Sequence, residues 1–281
     1  MKLSVVVLTR NEEKNIGDCL ESVKGIADEI IVLDEHSTDK TREIAKKYGV
    51  KLYEVDHEAI FHVNKQKALE KAKGEWILQL DADERVSSDL AKEILAIIAM
   101  DDEVISCRKI PKLFLRHQKL VEKRDLVGTQ TGEVTAFYVP RLNYFLGKPL
   151  RHAGVYPDGV IRLIKNGKAR FPAKSVHEQI EVDGKVSWLI NDLYHHDSPT
   201  LTRYFARLNR YTDLHAEELV KKKAPRNLFY MSYYGFIRAS LVFGSMYLRH
   251  GGFKDGSRGF MWCFLSASHY PIAYFKYWSV R

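Results

Sequence analysis

The sequence Glu75-Trp76-Ile77-Leu78-Gln79-Leu80-Asp81-Ala82-Asp83-Glu84 decides how this chain is interpreted. Its first six residues are largely apolar and follow Gly74, which predicts a short strand buried in a sheet. That strand ends abruptly in acidic residues. Because side chains alternate along an extended chain, Asp81 and Asp83 are expected to project to the same side. Two carboxylates so placed favour a hard divalent cation that also holds substrate phosphates.

Strand and helix patterns alternate through the first hundred residues. The predicted strands are Leu3–Leu8, Glu29–Leu33, Val50–Val55, 75–80 and Val104–Cys107, and the predicted helices are Glu13–Val23, Thr38–Tyr48, Asn64–Ala72 and one from Ser87 or Ser88 to Ile98. This alternation implies a mostly parallel α/β sheet, whose ligands bind beyond the carboxyl ends of the strands. Polar segments 9–12, 34–37 and 81–84 follow three of the strands. One ligand is therefore expected to contact all three segments.

The remainder of the chain has weaker patterns. Residues 109–160 are rich in Lys, Arg, Gly and aromatic residues, and we interpret them as a mobile loop region. Residues 160–164 predict a strand followed by a hairpin turn at 165–168. A helical pattern begins near Thr200, and two largely apolar segments near the end of the chain extend it. Those segments are Asn227–Leu248 and Gly259–Tyr277.

The positive charge of the chain is concentrated at its C-terminal end. Residues 201–281 contain 13 Lys and Arg against 4 Asp and Glu, whereas the whole chain has a net charge of +8. The same segment holds 19 of the 32 aromatic residues. A basic, aromatic-rich segment predicts contact with an anionic membrane surface, where aromatic rings lie at the level of the headgroups. Nucleic acid is the rival interpretation of such a surface.

The cysteines and the N-terminus limit the class of protein. Cys19, Cys107 and Cys263 lie far apart, which argues against a disulfide framework or a zinc site and fits a reducing cytosol. The apolar run that begins at Val5 stops at Thr9, too early for a signal peptide. No uncharged stretch is long and apolar enough to predict a transmembrane helix.

Several segments together resemble family 2 glycosyltransferases of the GT-A fold. The matching segments are residues 5–13, 31–41, 65–69 and 72–84. Downstream, Val176-His177-Glu178, Tyr194-His195-His196, 208–212 and 252–256 are similar to the subgroup that includes lipopolysaccharide-core β-glucosyltransferases. The resemblance implies an α/β nucleotide-diphospho-sugar transferase fold, with a mostly parallel central sheet flanked by helices and a C-terminal helical extension.

The resemblance also implies a division into domains and a set of site residues. The catalytic domain would span 1–198, with a nucleotide-sugar half (1–105) and an acceptor half (106–198), before a basic helical region at 199–281. Asp83 would hold Mg²⁺ or Mn²⁺, and Glu178 would be the catalytic base. The implied substrate-binding residues are Thr9, Asn11, Glu12, Asp34, Lys65, Asp81 and His177. We interpret His195 and His196 as structural.

We therefore expect an inverting, metal-dependent hexosyltransferase. Its donor would be a nucleoside-diphosphate sugar, with a UDP-sugar favoured. Its acceptor would be a glycolipid or lipid-linked saccharide of the cell envelope, such as the lipopolysaccharide core. The protein would be cytoplasmic and peripherally associated with the inner face of the membrane, without a nucleic-acid partner.

Two alternatives remain open at this stage. The first is a glycosyltransferase that loads sugar onto a polyprenyl phosphate, an acceptor that is already ionised and needs no strong base. The second is a non-catalytic, basic peripheral membrane-binding protein with a vestigial sugar-nucleotide site. The intact pair Asp81 and Asp83 argues against the second alternative.

Overall fold

The computed structural model describes residues 1–122, 127–129, 131–172 and 180–279. The chain forms two compact units. The first unit contains Met1–Arg141 and Pro157–His195, and the second contains Leu142–Tyr156 and His196–Arg281. The predicted domain boundary between residues 198 and 199 stays a prediction.

A mixed sheet forms the framework of the first unit. Its strands are β1 (Leu3–Thr9), β2 (Glu29–Asp34), β3 (Lys51–Glu54), β4 (Trp76–Asp81), β5 (Glu84–Val86), β6 (Val134–Phe145), β7 (Lys148–Pro149), β8 (Asp158–Lys165), β11 (Lys185–Trp188) and β12 (Leu193–Ser198), while β9 (Ala169–Arg170) and β10 (Glu181–Val182) pair separately. Strand β7 lies within the second unit, and both β6 and β12 continue into that unit. The first four strands pair in parallel in the order β3-β2-β1-β4. Strand β8 then joins β4 in the antiparallel direction, and β6 joins β8.

Helices cover this sheet through apolar faces. They are α1 (Ile16–Val23), α2 (Thr41–Lys46), α3 (Phe61–Lys71), α4 (Ser88–Ile97), α5 (Asp102–Ser106) and α6 (Lys112–Glu122). In α1 the buried residues Ile16, Cys19, Leu20 and Val23 recur at helical spacing and pack into the main core. Helix α4 begins where the Ser87 hydroxyl accepts a hydrogen bond from the Leu90 amide at 3.2 Å.

The strand register brings the predicted binding segments to one edge. Strand β1 is buried at every position except the half-buried Leu8, as expected for a parallel strand covered on both faces. Its Thr9 lies opposite Asp34 of β2, and its Leu8 lies opposite Asp81 of β4. The three strands therefore end together, and the expectation that their polar segments share one edge is confirmed.

Two predictions for the middle of the chain are wrong. Most of the predicted strand Val104–Cys107 instead lies in α5. Asp102 and Glu103 occupy the first turn of this helix, where their negative charges interact favourably with the positive end of the helix dipole and stabilise the helix. Residues 109–160 contain α6 and the 12-residue strand β6 rather than only a loop. Strand β6 was missed because its aromatic and polar residues, including Arg141, obscure an otherwise buried run.

The turn at residues 165–168 forms, but it does not join a hairpin. The Lys168 amide donates to the Lys165 carbonyl at 3.0 Å, and Gly167 adopts a φ of 77° that favours glycine. The strands on either side have different partners, since β8 pairs with β4 and β6 whereas β9 pairs with β10. Long-range pairing therefore overrides the local hairpin signal.

The second unit is mainly helical. Its elements are α7 (Leu201–Lys221), α8 (Leu228–Ser232), a π-helical turn (Tyr233–Ile237), α9 (Arg238–Gly244), a second π-helical turn (Ser245–Arg249), a 3₁₀ turn (Gly252–Asp255) and α10 (Gly256–Ser279). Thr200 caps α7 by accepting a hydrogen bond from the Arg203 amide at 3.2 Å. Phe145, Leu150, Tyr204 and Leu208 form one core cluster of this unit. Among the described residues, no helix combines the length and apolar character that a membrane span requires.

Candidate functional site

The loops after β1 and β2 are held together by hydrogen bonds that involve Asn11 and Glu12, two of the predicted substrate-binding residues. Asn11 adopts a left-handed φ of 54°, and its side-chain oxygen accepts a hydrogen bond from the Thr38 amide at 2.8 Å. The Asn11 amide donates to the Ser37 hydroxyl at 2.8 Å, and the Glu12 amide donates to the Thr41 hydroxyl at 2.8 Å. Asn11 therefore braces the two loops against each other.

Asp34 is fully buried at the end of β2 and organises the turn that follows. Its carboxylate accepts hydrogen bonds from the Ser37 amide at 2.8 Å and from the Ser37 hydroxyl at 2.5 Å. Arg42 approaches the same carboxylate, with Nε 3.7 Å from Oδ1. These contacts fix the direction of the carboxylate at the edge where β1, β2 and β4 end.

Thr9 and Glu12 lie at the same edge but differ in their surroundings. The Thr9 hydroxyl is buried, and it has no hydrogen-bond partner among the described residues. A buried hydroxyl without a partner is costly unless a ligand or water satisfies it, so Thr9 fits a binding role. Glu12 instead accepts a hydrogen bond from the Asn15 side chain at 2.5 Å, and its carbonyl accepts the Asn15 and Ile16 amides at the start of α1.

Asp81 lies between two buried cations. Lys65 of α3 approaches it, with Nζ 2.7 Å from Oδ1, and Arg162 approaches the other oxygen, with Nη2 2.5 Å from Oδ2. Burial alone would raise the pKa of Asp81, but the charges of Arg162 and Lys65 outweigh this effect and hold the pKa well below its usual range. Burial lowers the pKa of Lys65, and the Asp81 charge opposes that change. Asp81 is therefore held as an anion between Lys65 and Arg162.

Arg162 is the residue of this cluster that the sequence analysis missed. It lies in β8, is almost fully buried, and also donates to Glu84 at 2.6 Å and to the side chain of Gln79. Glu84 is itself fully buried and accepts the Asp81 amide at 3.0 Å. The sequence does contain a signal for this role, since Arg162 interrupts the apolar run 160–164. A guanidinium buried within such a strand requires carboxylate partners.

Asp83 and His195 form the second pair at this edge. Residues 82 and 83 form a turn instead of extending β4, so Asp81 and Asp83 have different neighbours and do not share one side of a strand. His195 of β12 lies opposite Glu84 of β5, and its Nε2 is 3.7 Å from Asp83 Oδ1. The two side chains are only 15% and 12% exposed. Burial, helped by the charge of Arg141, lowers the pKa of His195 to about 2, so its imidazole is neutral.

This pair is the part of the site that fits a divalent cation. Within the described ranges, no cluster of three or more His, Cys, Asp and Glu side chains forms a complete cage. An oxygen of Asp83 and a neutral imidazole nitrogen of His195 together offer two donors. A cation bound with a diphosphate needs few protein ligands, because phosphate oxygens and water supply the others. The donor set therefore fits a metal that binds together with substrate.

Glu178 and His177, predicted as the catalytic base and a substrate neighbour, lie outside the described residues. The described site therefore contains Thr9, Asn11, Glu12, Asp34, Lys65, Asp81 and Asp83. Of these, Lys65 and Asp81 are in direct contact, while Asn11 and Asp34 both contact Ser37.

Several sequence relatives of this chain are named as glycosyltransferases. An uncharacterized glycosyltransferase of Rickettsia bellii is 28% identical over 254 residues, which cover 86% of this chain and 79% of the relative. The lipopolysaccharide core biosynthesis glycosyltransferase LpsC of Rhizobium meliloti is 26% identical over 268 residues, covering 93% of this chain and 86% of the relative.

A solved structure also matches part of the chain. It is glucosyl-3-phosphoglycerate synthase of Mycobacterium tuberculosis in complex with Mn²⁺, uridine-diphosphate-glucose and phosphoglyceric acid. The match is 26% identical and covers 30% of this chain and 34% of that chain, with a TM-score of 0.28.

The family profile described as glycosyl transferase family 2 matches residues 4–150. That range contains the parallel strands β1 to β4 and the acidic turn that follows them. The match confirms the resemblance inferred from the sequence and, with the observed sheet order, the GT-A α/β fold with a C-terminal helical region. The chain therefore belongs to glycosyl transferase family 2.

Proposed function

We propose that this glycosyltransferase is an inverting, metal-dependent enzyme that moves a sugar from a nucleoside-diphosphate sugar to a hydroxyl group of a glycolipid or lipid-linked saccharide. The observation that carries the proposal is the arrangement at the carboxyl ends of the strands. Asp81 is held there by Lys65 and Arg162, and Asp83 lies beside the neutral imidazole of His195. A UDP-sugar is the favoured donor.

The chemistry of the transfer assigns a task to each group. When the anomeric C–O bond breaks, negative charge develops on the departing diphosphate. Lys65 is a buried cation at this edge and stabilises that charge. Asp83 and His195 would hold Mg²⁺ or Mn²⁺, which acts when bound as a Lewis acid toward the diphosphate. Asp81, oriented by its two cations, accepts hydrogen bonds from the ribose or the sugar.

The acceptor hydroxyl must lose a proton as it attacks the anomeric carbon. A neutral hydroxyl is a poor nucleophile, and a carboxylate within hydrogen-bond reach removes the proton. We assign this role to Glu178. Attack from the face opposite the leaving group forms one new bond as the old one breaks, which inverts the anomeric configuration.

The relatives and the charge distribution support the proposed acceptor class. The chain is similar over 93% of its length to a protein named as a lipopolysaccharide core glycosyltransferase. Its basic, aromatic-rich C-terminal segment fits the surface of an anionic membrane, in which a glycolipid acceptor is anchored. We therefore place the reaction at the cytoplasmic face of the cell membrane, in the synthesis of a cell-envelope glycan or lipopolysaccharide core.

The role of Asp83 is tested by donor turnover. The purified protein is incubated with Mn²⁺ or Mg²⁺ and a panel of sugar nucleotides, and release of the nucleoside diphosphate is measured. Asp83→Asn is expected to lower turnover by about a hundredfold or more, whereas Asp89→Asn, at an exposed position of α4, leaves it unchanged. Absence of turnover by the unaltered protein with every donor and acceptor would favour the non-catalytic alternative.

The role of Glu178 separates the two enzyme alternatives. Glu178→Gln is expected to lower transfer by about a hundredfold or more while sugar-nucleotide binding persists. Binding is measured as the rise in melting temperature on adding the donor, since a ligand of the folded state stabilises it by mass action. Near-normal transfer by Glu178→Gln would instead indicate an acceptor that is already ionised, such as a polyprenyl phosphate.

A further inference from the structure

The second unit ends in two helical segments that lie side by side. One is the continuous helical run from Leu228 to Arg249, and the other is α10. Aromatic contacts join them, since the Phe260 ring lies 5.8 Å from the Phe243 ring and 5.8 Å from the Tyr247 ring. Tyr247 also contacts Phe253 of the 3₁₀ turn, at 6.1 Å between ring centroids. These contacts hold one side of the run Leu228–Arg249 against α10.

Another side of this helical run is apolar and exposed to solvent. We call this surface the apolar face, and it consists of Phe229, Phe236, Ile237, Leu241 and Leu248. The members Phe229, Ile237, Leu241 and Leu248 are separated by 8, 4 and 7 positions, which is helical spacing and places them in one stripe. Phe236 is 74% exposed, Leu241 65% and Leu248 68%. An exposed stripe of large apolar side chains marks an interaction surface.

Exposed cations stand at both ends of the same helical run. Lys221, Lys222, Lys223 and Arg226 precede it, while Arg249 and Lys254 end and follow it. Residues 221–281 contain ten Lys and Arg but one acidic residue, Asp255. Asp255 is turned inward, where it accepts hydrogen bonds from the His152 imidazole at 2.7 Å and the His152 amide at 2.9 Å. Glu218, which precedes this segment, lies 3.5 Å from Lys222 Nζ, and the segment as a whole remains strongly positive.

The apolar face and the flanking cations together favour a membrane surface as the partner. An apolar stripe between clusters of exposed cations is the arrangement of a helix that lies in a membrane interface. A second copy of the chain would bring two strongly positive segments together, which like charges oppose. Nucleic acid would use the cations but would leave aliphatic side chains such as Leu241 and Leu248 in water.

We propose that the run Leu228–Arg249 docks onto an anionic phospholipid surface, with the apolar face inserted among the acyl chains and the flanking cations at the phosphate groups. This inference extends the membrane location given under the proposed function to a defined surface. Its test uses vesicle binding without any sugar nucleotide. Failure of the docking surface is therefore distinguishable from failure of the enzymatic assignment.

The test is co-sedimentation of the full chain with vesicles of phosphatidylcholine, with and without phosphatidylglycerol. The unaltered protein is expected to bind the anionic vesicles and to bind more weakly as salt is raised. The triple variant Phe236→Gln, Leu241→Gln and Leu248→Gln should bind at least about tenfold more weakly, because each apolar side chain gains free energy by leaving water. Glutamine keeps the helix propensity of these positions.

A matched triple variant controls for a general loss of surface hydrophobicity. Leu113, Leu115 and Leu120 are also exposed leucines on a helix, α6, and their replacement by Gln should leave vesicle binding unchanged. Replacing Lys221, Lys222 and Lys223 by Gln should weaken binding by on the order of a hundredfold. Circular dichroism verifies that each variant is folded.

Three outcomes would overturn the proposal. The first is equal vesicle binding by the apolar-face variant and the unaltered protein. The second is displacement of the protein from anionic vesicles by an oligonucleotide of random sequence, if the apolar-face variant binds that oligonucleotide as tightly as the unaltered protein does. The third is a concentration-dependent dimer, seen by analytical ultracentrifugation, that the apolar-face variant abolishes while vesicle binding is absent.

Discussion

Arg162 is the single residue whose replacement is expected to disturb the site most. It contacts the carboxylates of Asp81 and Glu84, and Glu84 is fully buried. Arg162→Met removes the shared cation and leaves these carboxylates with weaker compensation, so it should lower the free energy of unfolding by about 3–5 kcal/mol. Arg162→Lys keeps the charge but loses the planar guanidinium that contacts both carboxylates. Its free energy of unfolding should therefore lie between those of Arg162→Met and the unaltered protein. Urea denaturation measures the effect.

A surface arginine provides the control for this prediction. Arg170 pairs with Glu181, their side chains are 74% and 43% exposed, and exposed ion pairs contribute little. Arg170→Met should therefore change the free energy of unfolding by about 0–1 kcal/mol. Equal effects of Arg170→Met and Arg162→Met would contradict the view that Arg162 neutralises a buried carboxylate cluster.

At the scale of elements, Glu29 joins neighbouring parts of the parallel sheet. Its buried carboxylate accepts hydrogen bonds from the Ser4 hydroxyl at 2.6 Å, the Lys73 amide at 2.8 Å and Lys51 Nζ at 2.6 Å. Burial alone would raise the pKa of Glu29, but the hydrogen bonds from Lys51, Ser4 and Lys73 lower it below its ordinary value of 4.5. One carboxylate thus links β1, β2, β3 and the loop before β4.

The lowered pKa of Glu29 determines how the free energy of unfolding changes with pH. Because the folded state binds the Glu29 proton more weakly than the unfolded state does, this contribution to stability is complete above about pH 4.5 and is lost as pH falls through the folded pKa. Glu29→Gln should lower the free energy of unfolding by about 1–3 kcal/mol at neutral pH. The difference from the unaltered protein should shrink in acid, as followed by urea denaturation across the acidic range. A difference that does not change with pH would contradict the assignment.

The elements also show what the sequence could and could not predict. Strands β1, β2 and β4 were predictable because their apolar runs are local patterns, and their parallel order brings Thr9, Asp34 and Asp81 to one edge. The contact of Arg162 with Asp81 was not predictable, since it joins residues 81 positions apart through the antiparallel insertion of β8. The approach of His195 to Asp83 likewise depends on pairing between β12 and the three-residue strand β5.

At the scale of the whole molecule, a buried histidine pair should make the second compact unit sensitive to mild acid. In the second unit, His215 of α7 and His269 of α10 stack with ring centroids 5.1 Å apart, and His215 Nδ1 lies 3.0 Å from His269 Nε2. Burial lowers the pKa of both imidazoles. For His215, the positive charges of Arg238 and Lys222 lower the pKa further, whereas the negative charge of Glu218 opposes this change. For His269, His215 and Lys276 lower the pKa further. Both residues are therefore harder to protonate in the folded unit than in the unfolded chain.

This difference predicts that the second unit loses stability as pH falls below about 6.5, the ordinary histidine pKa, because the unfolded chain then binds more protons than the folded unit. Amide hydrogen exchange should therefore accelerate in α7 and α10 between neutral and mildly acidic pH, after correction for the intrinsic exchange rate, and the same amides of His269→Gln serve as the reference. His269→Gln removes one titrating ring and the repulsion between two protonated rings, so it should reduce this pH sensitivity by about half. An unchanged pH response in His269→Gln would show that the histidine pair does not set the acid stability of the second unit.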